Sequence, residues 1–287
     1  MLHSNSIIRR SLLCLVGLTL AAGTARGQEY KVTLVRPAKV GEQYVTTIKA
    51  KLSSVNPEKS EDFTADLHGT VKVLAVNEKT GSPTKISCKV DKLTKDDKEV
   101  LPAGTVITAD KSGAKTTYTV DDKPVADADK SVLDALLDVS SPDKTASDDE
   151  IFGTDKPQKV GDSWPVNKEL LAKDIMSEGF LPLPAESVQG ESTLVEVKKV
   201  KDVDSMVVKS SASSTINKMA LPNGATVDGK LEGSQTVTLP VDKSLPPTTV
   251  KSKFTIKMTV AAPGGAGPNI DVKADLEKTE EREAVKP

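Results

Sequence analysis

Chemistry at neutral pH needs a nucleophile, a base or a set of metal ligands, and this 287-residue chain holds two histidines and two cysteines. His3 and Cys14 fall in an N-terminal stretch that reads as an export signal, which leaves His68 and Cys88. His68 sits two residues from Asp66, on the side of its segment opposite Phe63, Ala65 and Leu67, and is expected to face water. A serine-histidine-acid triad would need a serine delivered to it, and no Gly-x-Ser-x-Gly elbow occurs. In "TKISCKVDK" the residues Ile86, Cys88 and Val90 alternate with polar ones, so Cys88 reads as an inward-facing small hydrophobe. One histidine and one buried thiol cannot build a zinc site.

The segment "GATVDGKL" at 224–231 approaches a phosphate-binding loop until Leu231 stands where Ser or Thr would ligate magnesium. Its surroundings read as strands, with no helix N-terminus to converge amides on phosphate. The acidic runs "SDDE" (147–150) and "DADK" (127–130) lack the acid-x-acid-x-acid-Gly order of a calcium loop. Paired carboxylates for glycoside hydrolysis leave no sequence signature, although aromatics at 3% argue against a sugar-stacking cleft. These readings point to a protein without cofactor or metal and without a catalytic centre, a carboxylate-based hydrolase being the third-ranked alternative.

The elements that would position any such residue are strands. "VKSKFTIKMTV" (250–260) places Val250, Phe254, Ile256, Met258 and Val260 on one side and lysines and threonines on the other. "IDVKADLEK" (270–278) does the same with Ile270, Val272, Ala274 and Leu276, so the two segments predict a hairpin around "APGGAGPN". Similar alternation marks "EYKVTLVR", "QYVTTIKAKL", "DFTADLHGTVKVLAV", "KISCKVDKL", "KTTYTVD", "STLVEVKKV", "DSMVVKSSAS" and "SQTVTLPVD". About ten strands of this kind predict a mainly β chain of long antiparallel meanders with solvated backs, arranged as a sandwich or a half-barrel.

Two short helices interrupt the pattern. "DADKSVLDALLDV" lays Val132, Leu133, Leu136 and Leu137 along one face, with Asp127 or Asp129 as the expected cap. "NKELLAKDIMSEGF" predicts a second helix capped by Asn167, facing the body with Leu171 and Ile175 and ended by Gly179. The polar stretch "SSPDKTASDDEIFGTDKPQ" between them reads as a surface linker.

"RPAKVGEQYVT" (36–46) returns 120 positions later as "KPQKVGDSWPV" (156–166). "LPAG" at 101 and "LPNG" at 221 share that offset, and Gly69 and Gly190 differ by 121. One offset in three places suggests duplication of a unit of about 120 residues, the size of a common domain. The expected organisation is a signal peptide over 1–27 and β units over 28–155 and 156–287, forming two domains or one body. Gly41 and Gly161 should supply the positive φ of a tight turn, and Tyr44 and Trp164 should plug the core where the next strand begins.

The signal peptide is inferred from basic residues before the apolar run Leu12–Ala22 and small residues up to Gly27. Eleven apolar residues are too few to span a bilayer of about 30 Å, and nothing later supplies a span. Cleavage would remove Arg9, Arg10 and Arg26, shifting the formal balance from 39 against 41 to 36 against 41. A mildly acidic chain with two remaining arginines, Arg36 and Arg282, argues against nucleic acid. The expected location is the periplasm or the extracellular space.

An export signal, long alternating strands, a single mature cysteine and a Leu-rich helix among the strands resemble, at the level of architecture, the bacterial lipoprotein carriers built as β half-barrels (the LolA type). The repeated Lys-Val-Gly-acid-x-aromatic turn also resembles secreted bacterial envelope proteins of uncharacterised role. The resemblance implies a curved sheet with an apolar face, partly covered by the helix carrying Leu133, Leu136 and Leu137, which would hold an acyl chain or apolar peptide. The functional expectation is an exported non-enzymatic binding protein for a hydrophobic ligand or an envelope protein partner. The alternative is a structural or assembly module of the envelope with a filled core.

Overall fold

The computed structural model describes residues 27–55, 60–112, 115–177, 183–220, 225–261 and 269–285. The signal segment up to residue 26, Gly179, "LPNG" and most of "APGGAGPN" lie outside the described residues. The chain is mainly β, and the strands among the described residues join into one open antiparallel sheet of thirteen.

The strands are β1 (Gln43–Val55), β2 (Ser60–Val76), β3 (Pro83–Lys95), β4 (Lys98–Leu101), β5 (Val106–Asp110), β6 (Thr117–Val120), β7 (Lys123–Pro124), β8 (Ser163–Pro165), β9 (Val188–Val200), β10 (Val203–Ala220), β11 (Thr226–Pro240), β12 (Thr249–Ala261) and β13 (Ile270–Ala284). Among the described residues three helices accompany them, α1 (Asp127–Leu136), α2 (Asp148–Phe152) and α3 (Lys168–Ser177). Across the sheet the order is β7-β6-β5-β3-β2-β1-β13-β12-β11-β10-β9-β8, with β4 beside β3. Two meanders therefore lie in tandem, and β1 of the first pairs with β13 of the second.

Period-two patterning explains why the sheet has one core face. Along β2, Phe63, Ala65, Leu67, Val71 and Val73 are buried, while Asp62, Thr64, His68 and Lys72 are exposed or half-exposed. On the outer face the acidic strand β13 runs between lysine-bearing β12 and β1. Lys253 meets Glu277 at 2.6 Å, Thr255 meets Asp275 and Thr259 meets Asp271. Opposite charges on adjacent strands favour this register, whereas a one-residue slip would turn the apolar set outward.

The repeated turns are superimposable in their bonding. Gly41 N–H donates to Val73 O (2.9 Å) and Val73 N–H to Glu42 O (3.0 Å), while the Glu42 carboxylate accepts from Lys39 N–H (2.9 Å). In the second unit Gly161 N–H donates to Leu194 O (2.8 Å), Leu194 N–H to Asp162 O (3.1 Å), and the Asp162 carboxylate accepts from Lys159 N–H (2.8 Å). Both glycines have the positive φ expected, +88° and +96°. The pairing continues in step, with Tyr44 opposite Val71 and Trp164 opposite Ser192. It extends to Gly69 beside Val90 and Gly190 beside Ala212. "LPAG" joins β4 to β5, both partners of β3, and its counterpart "LPNG" lies outside the described residues.

Three expectations need correction. "EYKVTLVR" is an extended arm, not a strand: only Tyr30 bridges Gln158, and Leu34 N–H donates to the Asp149 carboxylate instead of a ladder. Val32 and Leu34 still alternate inward, which is why the segment mimics a strand in sequence. The cap of α1 is Ala126, with no side-chain cap bond, in place of an aspartate. The stretch read as a surface linker contains α2, held by a Ser147–Glu150 capping box, and buries Ala146 and Ile151. "SQTVTLPVD" forms a strand as expected, within the longer β11 that also takes in Thr226–Leu231 of the near-phosphate motif.

Candidate functional site

Both units cover the inner face of the sheet with a helix, but they fill it differently. In the first, α1 inserts Val132, Leu133 and Leu136, none of them exposed, and Leu137 comes next at 4%. They pack with Leu67, Val71, Cys88, Leu93 and Ile107 into a closed core. The three leucines expected to face a ligand are thus spent on packing, because α1 lies directly on β1 and β2. Burial pushes the Cys88 thiol up from 9.0 to about 12 and the Tyr44 phenol up to about 12, and it also raises Tyr118.

The end of α1 is pinned by charge. Lys278, on the inner face of β13, donates to Leu136 O and to the Asp138 carboxylate, both at 2.6 Å. Two residues on, Glu280 accepts from Arg282, whose guanidinium lies 5.0 Å from the centre of the Tyr44 ring. Tyr44 therefore closes the first unit's core with an ion pair behind it. In the second unit Trp164 is 6% exposed, packs with Val32, Leu34, Leu194 and Met206, and donates its indole N–H to Phe152 O at 2.8 Å.

Under α3 the filling is incomplete. One register row across the inner face reads Ser192, Ser210, Gln235, Ser252, Lys278, Ala50, Ala65. The adjacent row begins Gly190, Ala212, Gly233 before reaching Phe254. Side chains this small and polar cannot carry an apolar core across, so the second unit's core splits into two clusters on either side. The missing volume is a cavity of about 250 Å³ between the sheet and α3. Its apolar wall is Phe152, Leu171, Ile175, Val188, Leu231 and Phe254. Glu232 and Lys253 reach it only through their backbone, since their side chains lie on the outer face, paired with Lys230 and Glu277.

α3 is held over this gap from its N-terminus. The Asn167 side chain accepts from Leu170 N–H at 3.1 Å, the expected cap, and Leu171 is buried while Ile175 stays half-exposed. Lys144 ties α3 to α2 through Asp174 and Asp148. Sequence reasoning found α3 and its inward residues Leu171 and Ile175 but not the space beneath them. The signal it lacked was register, because Gly190, Ala212 and Gly233 become neighbours only once β9, β10 and β11 are aligned.

The candidate reactive residues stay apart. His68 lies exposed on the outer face, 3.1 Å from Asp91, and Cys88 is fully buried on the inner one. Arg36 is consumed by backbone carbonyls of Thr33, Val35, Pro240 and Leu245. Among the described residues no three of His, Cys, Asp and Glu gather as a metal site, and no helix is long and apolar enough to cross a membrane. Compared with known proteins, the chain matches no family model, and no curated protein matches it significantly.

Proposed function

We propose that the protein is an exported, non-enzymatic binding protein that holds a slim apolar ligand beneath α3. The observation that carries this reading is the cavity of about 250 Å³ walled by Leu171, Ile175, Val188, Leu231 and Phe254. It lies just below the roughly 300–1,000 Å³ of pockets for drug-sized ligands, which suits one acyl chain or a small ring system. The ligand face assigned from sequence to Leu133, Leu136 and Leu137 moves to this second unit. Export rests on the signal-like residues 1–27, and the proposed setting is the bacterial envelope or its exterior.

A second reading has its own support. The closed core around α1 suits a structural or assembly module of the envelope, binding a protein partner through its surface. Native mass spectrometry of protein gently purified from its own host separates the two. A discrete mass adduct removed by organic extraction, and lost in Phe254→Ala, supports the carrier. Bare protein that also fails to take up an added apolar chain supports the module.

A further inference from the structure

The cavity is not uniformly apolar, and its polar groups define which end of a ligand goes where. Of the serines on its floor, Ser210 bonds Ser192 at 2.8 Å and Ser214 bonds Ser187 at 2.7 Å. Gln235 and Ser252 face each other across β11 and β12, on the same side as Leu231 and Phe254. Among the described residues neither side chain has a hydrogen-bond partner, although both are half-buried. Neither side chain has its polar atoms sealed from water, so both stay free to exchange water for hydrogen bonds to a ligand. Together the carboxamide and the hydroxyl offer donors and acceptors.

Charge on the ligand is a separate matter. The next residue in the row, Lys278, already has its charge matched by Asp138 at 2.6 Å and gives a further bond to Leu136 O. Among the described residues the next charged side chain along that row is Lys95, beyond Ala50 and Ala65 and over the Phe63 ring of the first unit, so an ionic head withdrawn from water beside Gln235 would lack a free counter-charge. We infer that the cavity takes a single-chain amphiphile with an uncharged hydrogen-bonding head, such as an alcohol or amide, seated at Gln235 and Ser252 with its tail under α3. This rests on the apolar-ligand reading above and adds the class and orientation of the ligand.

Isothermal titration of purified protein, stripped of lipid on a hydrophobic resin, tests it with decan-1-ol, decanoate at pH 8 and decyltrimethylammonium. Trp164, the sole tryptophan, provides a second readout because its indole bonds Phe152 on the cavity wall. The alcohol should bind about tenfold or more tightly than either ion. Gln235→Met and Ser252→Ala should each weaken the alcohol by about three- to tenfold while leaving decanoate unchanged. Equal or tighter binding of decanoate, or an unaffected alcohol in both variants, overturns the head-group assignment and leaves an apolar cavity. Failure of all three probes overturns the cavity reading and this inference with it.

Discussion

The two units share a turn, bonded atom for atom, and the pairing next to it, yet one closes its core and the other leaves a cavity. They diverge immediately beyond the shared turn. After Tyr44 the chain continues as the thirteen-residue strand β1, which leaves α1 free to arrive from the far end of the meander and settle on β1 and β2. After Trp164 the strand stops at Pro165 and α3 begins at Lys168. That helix lies over a floor of Ala212 and Gly233, which leaves the space beneath Leu171 and Ile175 unfilled, while Val166 covers Gly190. The same turn stands over a closed core in one unit and beside a cavity in the other.

Truncation breaks the comparison most forcefully. Leu136→Ala, in the closed core, should cost near the top of the roughly 2–5 kcal/mol range for buried leucines, measured by urea unfolding. Leu171→Ala, beside an existing cavity, should fall near the bottom and instead weaken apolar binding. Equal costs would mean that the two cores are equally filled.

Next come the glycines at the matched close approaches. A Cβ on Gly69 would stand 2.5 Å from Lys89 O, and one on Gly190 2.5 Å from Ser211 O and 2.3 Å from Val166 Cγ2. Gly69→Ala and Gly190→Ala should each lose about 1–3 kcal/mol, with Gly190→Ala the larger because two neighbours must yield. A neutral result at either would break the parallel between the units.

Alkali should separate the units more gently. Cys88, Tyr44 and Tyr118 all belong to the first core, and all have raised folded-state pKa values. The unfolded thiol ionises near 9 and the folded one near 12, so the unfolded state loses protons first and stability falls through that window. Below pH 9 this contribution is fully present. Cys88→Ala should flatten the decline of stability between pH 9 and 12, and it should not alter binding beneath α3.

Much of the fold is readable from sequence, and the rest is hidden for physical reasons. Alternation marks most of the strands, and the φ of Gly41 and Gly161 comes from turn chemistry. The two-residue turns Asp96–Asp97, Asp121–Asp122 and Lys201–Asp202 escape a glycine-based reading because they take positive φ without glycine. Aspartate tolerates that conformation, a signal available in "KDDK" and "VDDK". Lys278, Glu280 and Arg282 sit on the inner face of β13, where a period-two reading expects apolar residues. Their partners, Asp138 and Tyr44, are more than 130 positions away in the chain. The arm at 29–36 alternates like a strand but finds a side-chain acceptor on α2. The cavity is invisible in sequence for the same reason as the ion pairs, since it is made by residues adjacent only in register.

Filling the gap tests the account most directly. A Cβ on Gly233 would meet only Phe254 Cδ2, at 3.6 Å, so Gly233→Leu has room to grow into the cavity. Urea unfolding and decan-1-ol titration of that variant should show stability unchanged or higher, together with binding abolished. A variant that loses several kcal/mol, or that binds as before, would contradict the claim that the second unit keeps an open, ligand-sized space where the first has closed it.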